Sequence, residues 1–295
     1  MRYTTIAIIY NPNSTGSSEL LARQFEEVLH KRLPTQKIEL IRTEHAGHGE
    51  ELAYRIASSQ NNTLIVSSSG DGGYHDVING VMKAQNAGHY ATTGLLPAGN
   101  ANDHYHNLHS KDLIEQIIDG DEPTKIDLLK LISTSKAAPI ERYAHSYIGF
   151  GLTPVIGNEL NKTKLNPFNE FWIVARSLFT IKPVRLEVYN KVRHYESIVF
   201  SNVDVMSKYL KISQPSSVSD GKFEVTIFRR RNKLKLILLL LKTSFKGVKE
   251  DTKVREFLLK TVYETLVQTD GEIIELDAQS AVSIVIESQV LACVV

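Results

Sequence analysis

Over roughly the first 120 residues, short apolar runs of strand type alternate with segments whose apolar residues recur at helical spacing. This alternation restricts the fold more than any other feature of the chain. Residues 5–10 (TIAIIY) read as a strand, and residues 18–33 as a helix with Leu21, Phe25, Val28 and Leu29 on one face. A second strand is expected over 37–41 and a second helix over 49–58. A third strand, 63–66 (TLIV), precedes a helix over 74–84 that carries Val77, Ile78, Val81 and Met82. A fourth strand over 93–96 (TGLL) is followed by a helix near 112–118. Such alternation predicts an open, mostly parallel sheet with helices on both faces. In sheets of that kind ligands sit beyond the C-terminal ends of the strands. Three polar turns fall there, at 11–16, 69–73 and 97–103, with Thr43 just after the second strand.

The pattern changes after about residue 125. Segments 126–133, 140–149, 184–190, 195–203 and 222–229 are rich in Ile, Val, Tyr and Phe and read as strands. Helices are expected over 152–161, 168–179 and 233–245, and 272–295 is strand-like again. The expected class is α/β: an N-terminal open, mostly parallel α/β domain (1–125), and a C-terminal β-rich, sandwich-like domain (126–280). Whether the terminal strand (281–295) returns to the first domain stays open.

The stretch from Ser67 to Gly80, SSSGDGGYHDVING, places three glycines around one aspartate between a strand and a helix. Gly70-Asp71-Gly72-Gly73 reads as a strand-to-helix turn. Such a turn aims backbone N–H groups at one place beside a helix N-terminus, which suits an anion. Glycine permits positive φ and close backbone approach. A purely geometric turn, with Asp71 as a helix cap, stays open beside this reading.

The formal net charge of +1 gives no global attraction to nucleic acid. Cys293 is the only cysteine, so an intrachain disulfide is excluded and a reducing, cytoplasmic setting fits. The opening MRYTTIAIIYNP lacks a signal-peptide core, and no run reaches the roughly 20 apolar residues of a membrane span.

With its turns in order, the chain resembles the diacylglycerol kinase catalytic family, in particular its soluble bacterial lipid kinases. The family's first strand ends in Asn-Pro with a nearby Gly, matched by Asn11, Pro12 and Gly16. Its loop GGDGTxxExxNG is matched from Ser69 through Gly70, Asp71, Gly72, Gly73, Tyr74, His75 and Asp76 to Asn79-Gly80. PxGTxND is matched by Pro97 to Asp103, a DG before a strand by Asp220-Gly221, and a DGE by Asp270-Gly271-Glu272. The GGDGT loop is shared with dinucleotide kinases and phosphofructokinases, whereas PxGTxND and the late DGE narrow the resemblance to lipid kinases.

The resemblance implies a nucleotide-binding N-terminal domain, with ATP cradled by Asn11, Thr43, Ser69, Gly70, Asp71, Gly72, Gly73, Tyr74, His75 and Asn100. It implies Asp71 near the phosphates through Mg²⁺, and Glu272 as the base that accepts a lipid hydroxyl's proton. Asp220 and the backbone carbonyl of Lys222 match a second, structural Mg²⁺ site. The implied reaction is phosphorylation of a lipid hydroxyl, diacylglycerol to phosphatidic acid, in phospholipid metabolism. A sphingoid base or a polyprenol stays open as acceptor.

The departures are specific. Ser69 replaces a Gly, Gly73 and Asn100 replace Thr, Asp76 replaces Glu, and Ser217 stands where a carboxylate is usual at the second metal site. Without two hydroxyl hydrogen bonds, each worth roughly 0.5–1.5 kcal/mol, nucleotide affinity would fall about tenfold to a hundredfold. A pseudokinase that binds nucleotide or lipid as carrier or regulator therefore stays open. So do plainer roles: Glu272 as a solvated hairpin acid, Asp220-Gly221 as a simple turn, and Asn102-Asp103 as a cap. His45, His48, His75, His104, His106 and His109 show no carboxylate or cysteine companion at ligand spacing and are expected at the surface or in turns. The basic, leucine-rich stretch 229–242 is the expected place of transient contact with a membrane surface, or else a helix packed on the β domain. A homodimer through edge strands is a further expectation.

Overall fold

The structure, a computed structural model, describes residues 2–14, 16–99, 101–108, 111–135, 138–161, 176, 182–206, 210–211, 217–229 and 252–295. The chain divides into two compact units, one of residues 1–126 and 289–295, the other of residues 127–288.

The first unit contains β1 (Thr5–Tyr10), α1 (Ser18–Arg32), β2 (Lys37–Arg42), α2 (His48–Ser59) and β3 (Thr63–Ser69). These are followed by α3 (Asp71–Asn86), β4 (Ala91–Pro97), α4 (Asp103–Leu108) and α5 (Leu113–Asp119). The strands run parallel in the order β4-β3-β1-β2, with Ile8 opposite Leu40 and Val66. Side chains alternate across the sheet. Ile6, Ile8 and Tyr10 pack with Ala22, Phe25 and Leu29 of α1 and with Leu113 and Ile117 of α5. α2 contacts β1 and β3, and α3 contacts β3 and β4. The expected mostly parallel, two-faced α/β unit is therefore present. One boundary differs: α3 begins at Asp71, so Gly72 and Gly73 lie in its first turn rather than ahead of the helix.

β5 (Thr124–Ser133) crosses from the first unit into the second, which continues with β6 (Ile140–Ala144), β7 (Tyr147–Gly151), α6 (Leu152–Asn161), β8 (Val184–Val188) and β9 (Lys191–Ser201). Then come β10 (Val205–Met206), β11 (Leu210–Lys211), β12 (Phe223–Arg229), β13 (Thr252–Val254) and β14 (Glu256–Thr261). The last strands are β15 (Thr265–Thr269), β16 (Glu272–Leu276) and β17 (Ala281–Cys293). Pairing is antiparallel in the order β16-β15-β7-β9-β8-β14-β17, with β12 also on β9. The core centres on Phe200, whose ring lies 6.2 Å from Phe150, 6.0 Å from Phe223 and 5.1 Å from Phe257. The expected β-rich second half is present. The single strand expected over 140–149 is two, β6 and β7, broken at His145-Ser146. The strands β13, β14 and β15 add to those expected. The helix expected over 233–245 lies outside the described residues, as does that over 168–179 apart from Arg176.

β17 serves both units. Beyond Gln289, which has φ 52°, its final residues enter the first unit. There Cys293 pairs in parallel with Thr93 of β4, and Thr93 Oγ1 donates to Ala292 O at 3.3 Å. Cys293 is fully buried, and burial pushes its thiol up to about 12. The native protein is therefore expected to resist an aromatic disulfide reagent at pH 8. One thiol per chain should react once denaturant is added; rapid labelling of the native protein would contradict the burial.

Candidate active site

The C-terminal edge of the parallel sheet carries three turns that lock together. After β1, the Asn13 N–H donates to Asn11 Oδ1 at 2.9 Å and the Asn11 N–H to Ser18 Oγ at 3.1 Å. Ser18 Oγ in turn donates to Ser68 O, and Ser68 Oγ returns a bond to Ser18 O at 2.8 Å. Ser14 Oγ donates to Ala98 O at 3.2 Å, which ties the first turn to the third. The Ala98 N–H donates to Ser69 O at 2.9 Å, which ties the third to the second. Within the third turn, Asn102 sits at φ 51° and brackets Gly99: its Oδ1 accepts the Gly99 N–H at 2.9 Å and its Nδ2 donates to Gly99 O at 3.0 Å. The plainer, structural role open to Asn102 describes this geometry.

Gly70 and Gly99 pass so closely that a Cβ on Gly99 would come within 2.3 Å of Gly70 Cα. Close approach, not positive φ, is what glycine serves here; Gly70 has φ −86°. Asp71 does not cap its own helix, whose N-cap is Gly70. Its Oδ1 accepts the His104 N–H at 3.2 Å and so joins the start of α3 to α4. Beside it, a Cβ on Gly72 would meet nothing within 4 Å, so the first turn of α3 is open at that point.

A cavity of about 280 Å³ opens beside these turns, lined by Asn11, Thr43, Ser69 and Gly73 among others. Four of the expected nucleotide residues are thus brought together. Gly70, Asp71 and Gly72 lie next to it in the chain without lining it. Tyr74 and His75 point into the core: Tyr74 Oη bonds Thr93 Oγ1 at 3.0 Å, and His75 Nε2 lies 3.3 Å from Asn79 Nδ2. Burial raises the Tyr74 phenol well above its ordinary range, so it stays protonated. Asn100 lies outside the described residues. Asp76, from the same loop motif, also lines the cavity; so do Glu44, His45, Ala46 and Gly49, which no signal in the linear sequence places there.

The histidine expectation needs correction. His75 and His104 are buried rather than superficial, because their positions on α3 and α4 face the core. His45, His48 and Glu51 bring one ligand atom each within 4.8 Å of the others, a companionship that linear spacing hides. His48 Nδ1 accepts the Glu44 N–H at 3.0 Å. His109 lies outside the described residues.

In the second unit, β15 and β16 are joined by Asp270-Gly271, both at positive φ, 49° and 124°. That is the backbone a two-residue hairpin needs, and Asp-Gly supplies it. Asp270 is buried, and its carboxylate accepts three backbone N–H groups: His145 at 2.6 Å, Ser146 at 2.9 Å and Tyr147 at 2.9 Å. It thereby fixes the break between β6 and β7 and the start of β16. Glu272 opens β16, half-buried, and its Oε2 accepts from Arg142 Nε at 3.2 Å. A guanidinium beside a carboxylate favours its ionised form, the form a general base needs, although the same charge lowers its basicity.

The expected second Mg²⁺ site has a different occupant. Asp220 Oδ1 accepts the Lys222 N–H at 3.0 Å, while its Oδ2 lies 3.0 Å from Lys253 Nζ. The same ammonium lies 3.1 Å from Glu224 Oε1. Burial opposes the Lys253 charge, but hydrogen bonds to Asp220 and Glu224 outweigh it and raise its pKa. With Ser217 in place of a carboxylate and a lysine already bridging the two acids, these residues do not fit a divalent ion. Chelation is expected to leave the thermal midpoint of this unit unchanged, and Lys253→Met to lower it by several degrees. A midpoint that falls with a chelator would restore the metal.

Residues 5–131 match the family model of the diacylglycerol kinase catalytic domain. A diacylglycerol kinase of Staphylococcus saprophyticus is 28% identical over 236 residues, covering 76% of this chain and 73% of its own. One of Staphylococcus aureus strain JH9 is 26% identical over 236 residues, covering 76% and 70%. Among solved structures, a diacylglycerol kinase from Bacillus anthracis superimposes with a TM-score of 0.72 at 17% identity, covering 99% of this chain and 97% of its own. Yeast NADH kinase complexed with NADH gives a TM-score of 0.53 at 12% identity, covering 99% and 83%. The two structures show shared fold alone. The resemblance read from the five motifs is borne out, and so is the kinase class it implied.

Proposed function

We propose that this chain, with a diacylglycerol kinase catalytic domain over residues 5–131, is an ATP- and Mg²⁺-dependent lipid kinase whose acceptor is diacylglycerol and whose product is phosphatidic acid. The observation that carries the reading is the interlocked edge of the first unit: three turns held by Asn11, Ser69 and Asn102 beside a cavity of about 280 Å³. Phosphoryl transfer asks little of the protein beyond positioning and charge stabilisation. Asn11, Thr43 and Ser69 supply neutral polar groups around the cavity, and the open first turn of α3 supplies N–H groups suited to phosphate oxygens. Asp71, held by the His104 N–H, is the acid available to a phosphate-bound Mg²⁺, which would neutralise developing charge. Glu272, held by Arg142, would take the proton of the attacking hydroxyl.

Contact with lipid at a membrane surface belongs to this proposal as a transient, peripheral event, with the protein otherwise cytoplasmic. No helix among the described residues is long and apolar enough to cross a membrane. The basic, leucine-rich stretch expected to make that contact lies outside the described residues apart from Arg229.

The test is transfer from γ-labelled ATP into diacylglycerol, a sphingoid base and a polyprenol in mixed micelles with Mg²⁺, beside Asp71→Ala. Label in diacylglycerol that disappears in the variant supports the proposal. Label in another lipid renames the acceptor. Nucleotide binding without transfer to any lipid would favour the carrier or regulator. Tight binding of a nicotinamide dinucleotide by titration would point to a soluble acceptor.

A further inference from the structure

Two departures from the GGDGT pattern meet in space. Ser69, where the pattern has Gly, closes β3; Gly73, where it has Thr, lies in the first turn of α3. A Cβ built on Gly73 would stand 2.6 Å from Ser69 Cβ and 2.7 Å from Ser69 Oγ. Real side chains do not approach so closely, and Ser69 is only 5% exposed, so it has little room to withdraw. The volume in front of α3 therefore holds a side chain from position 69 or from position 73, not both. Here it comes from 69. The Ser69 hydroxyl lies at the cavity wall, 2.7 Å from Ser67 Oγ and 3.0 Å from Gly70 O.

We propose that Ser69 and Gly73 are a reciprocal pair, and that the Ser69 hydroxyl supplies the phosphate contact that position 73 lacks. The inference rests on the nucleotide-binding reading above. It gives the altered loop a full set of hydroxyls, moved from the helix to the end of the strand. A hydroxyl proton donates equally well from either side of the same space, because the bond depends on where the oxygen sits and not on which residue carries it. The proposal names the anionic phosphate chain of a nucleoside triphosphate as the ligand. In the free protein the Ser69 proton is accepted by Gly70 O, and binding would redirect it.

A cycle of four variants tests this on the full chain, read by thermal unfolding and by titration with Mg²⁺ and a non-hydrolysable ATP analogue. Ser69→Ala keeps the Cβ and removes the hydroxyl; it should fold as the parent does and bind about tenfold more weakly, as expected when one bond to a charged acceptor is removed. Gly73→Thr should lower the unfolding midpoint by several degrees and weaken binding. Ser69→Gly should fold and bind weakly. The double variant S69G/G73T should recover both the midpoint and most of the affinity. A double variant no better than Gly73→Thr would overturn the reciprocity, and unchanged affinity in Ser69→Ala would overturn the phosphate contact. A parent protein that binds no nucleotide would sink the kinase reading and the phosphate contact together. The unfolding midpoints would still decide the packing half.

Discussion

Glu272→Gln, which keeps the shape of the side chain and removes its basicity, is expected to lower transfer to lipid by about 10²–10⁴-fold. Nucleotide affinity should stay within about twofold, because Glu272 does not line the cavity of the first unit. The expectation rests on placement as much as on chemistry. Glu272 is the first residue of β16, and Arg142 on β6 holds its carboxylate at 3.2 Å. An amide at this position still accepts from Arg142 but gains no proton at neutral pH, so the variant separates placement from proton transfer. Single-turnover transfer rates, with fold confirmed by circular dichroism, give the measurement. A variant that retains parental transfer would remove Glu272 from the chemistry and leave it a hairpin acid.

Asp270→Ala is expected to destabilise the second unit strongly. It strips the acceptor from three backbone N–H groups, the buried ones of His145 and Ser146 and the part-buried one of Tyr147. Each bond has a charged acceptor, and an orphaned buried donor costs its full desolvation, so a loss of about 3–5 kcal/mol is expected. In a unit of this size that lowers the midpoint by about 10 °C. Asp270→Asn keeps one oxygen and should fall between the two. Because the same carboxylate fixes the start of β16, transfer should fail as well, even at temperatures where the variant is still folded. Calorimetry on the two variants settles it; an alanine variant that melts with the parent would mean that water or other groups satisfy those donors.

The first unit is legible in the sequence because its signals are local and agree with one another. In 5–10 and 63–66 the apolar runs are continuous, as strands buried on both faces require, and helical spacing marks α1 to α3. The start of α3 is harder to place because glycines read as turn residues. The structure uses them inside the helix, where a neighbouring side chain or backbone leaves no room for a Cβ on Gly73 or Gly80. The strands β14 and β15 are hidden by charge spacing: Glu256 and Lys260 of β14 and Glu264, just before β15, recur every four residues, a helical rhythm, although side chains alternate across a sheet. At the site, motif order points to Glu272, Asp71 and the cavity wall at Asn11, Thr43 and Ser69. Asp270 is readable as part of the DGE element and as half of a turn signal. Its second task, gathering N–H groups from residues some 125 positions earlier, depends on which strands become neighbours.

β17 gives the chain an unusual order of assembly. The first unit contains residues 1–126, yet one of its parallel strands is supplied by residues beyond 288. A chain emerging from the ribosome from its N-terminus cannot finish that unit when its first 126 residues are out. β4 keeps an unpaired edge until the whole of the second unit has been made. Such an edge is open to wrong partners for as long as synthesis lasts. The unit translated first is thus the one completed last, and its quality control falls to whatever guards β4 during that interval.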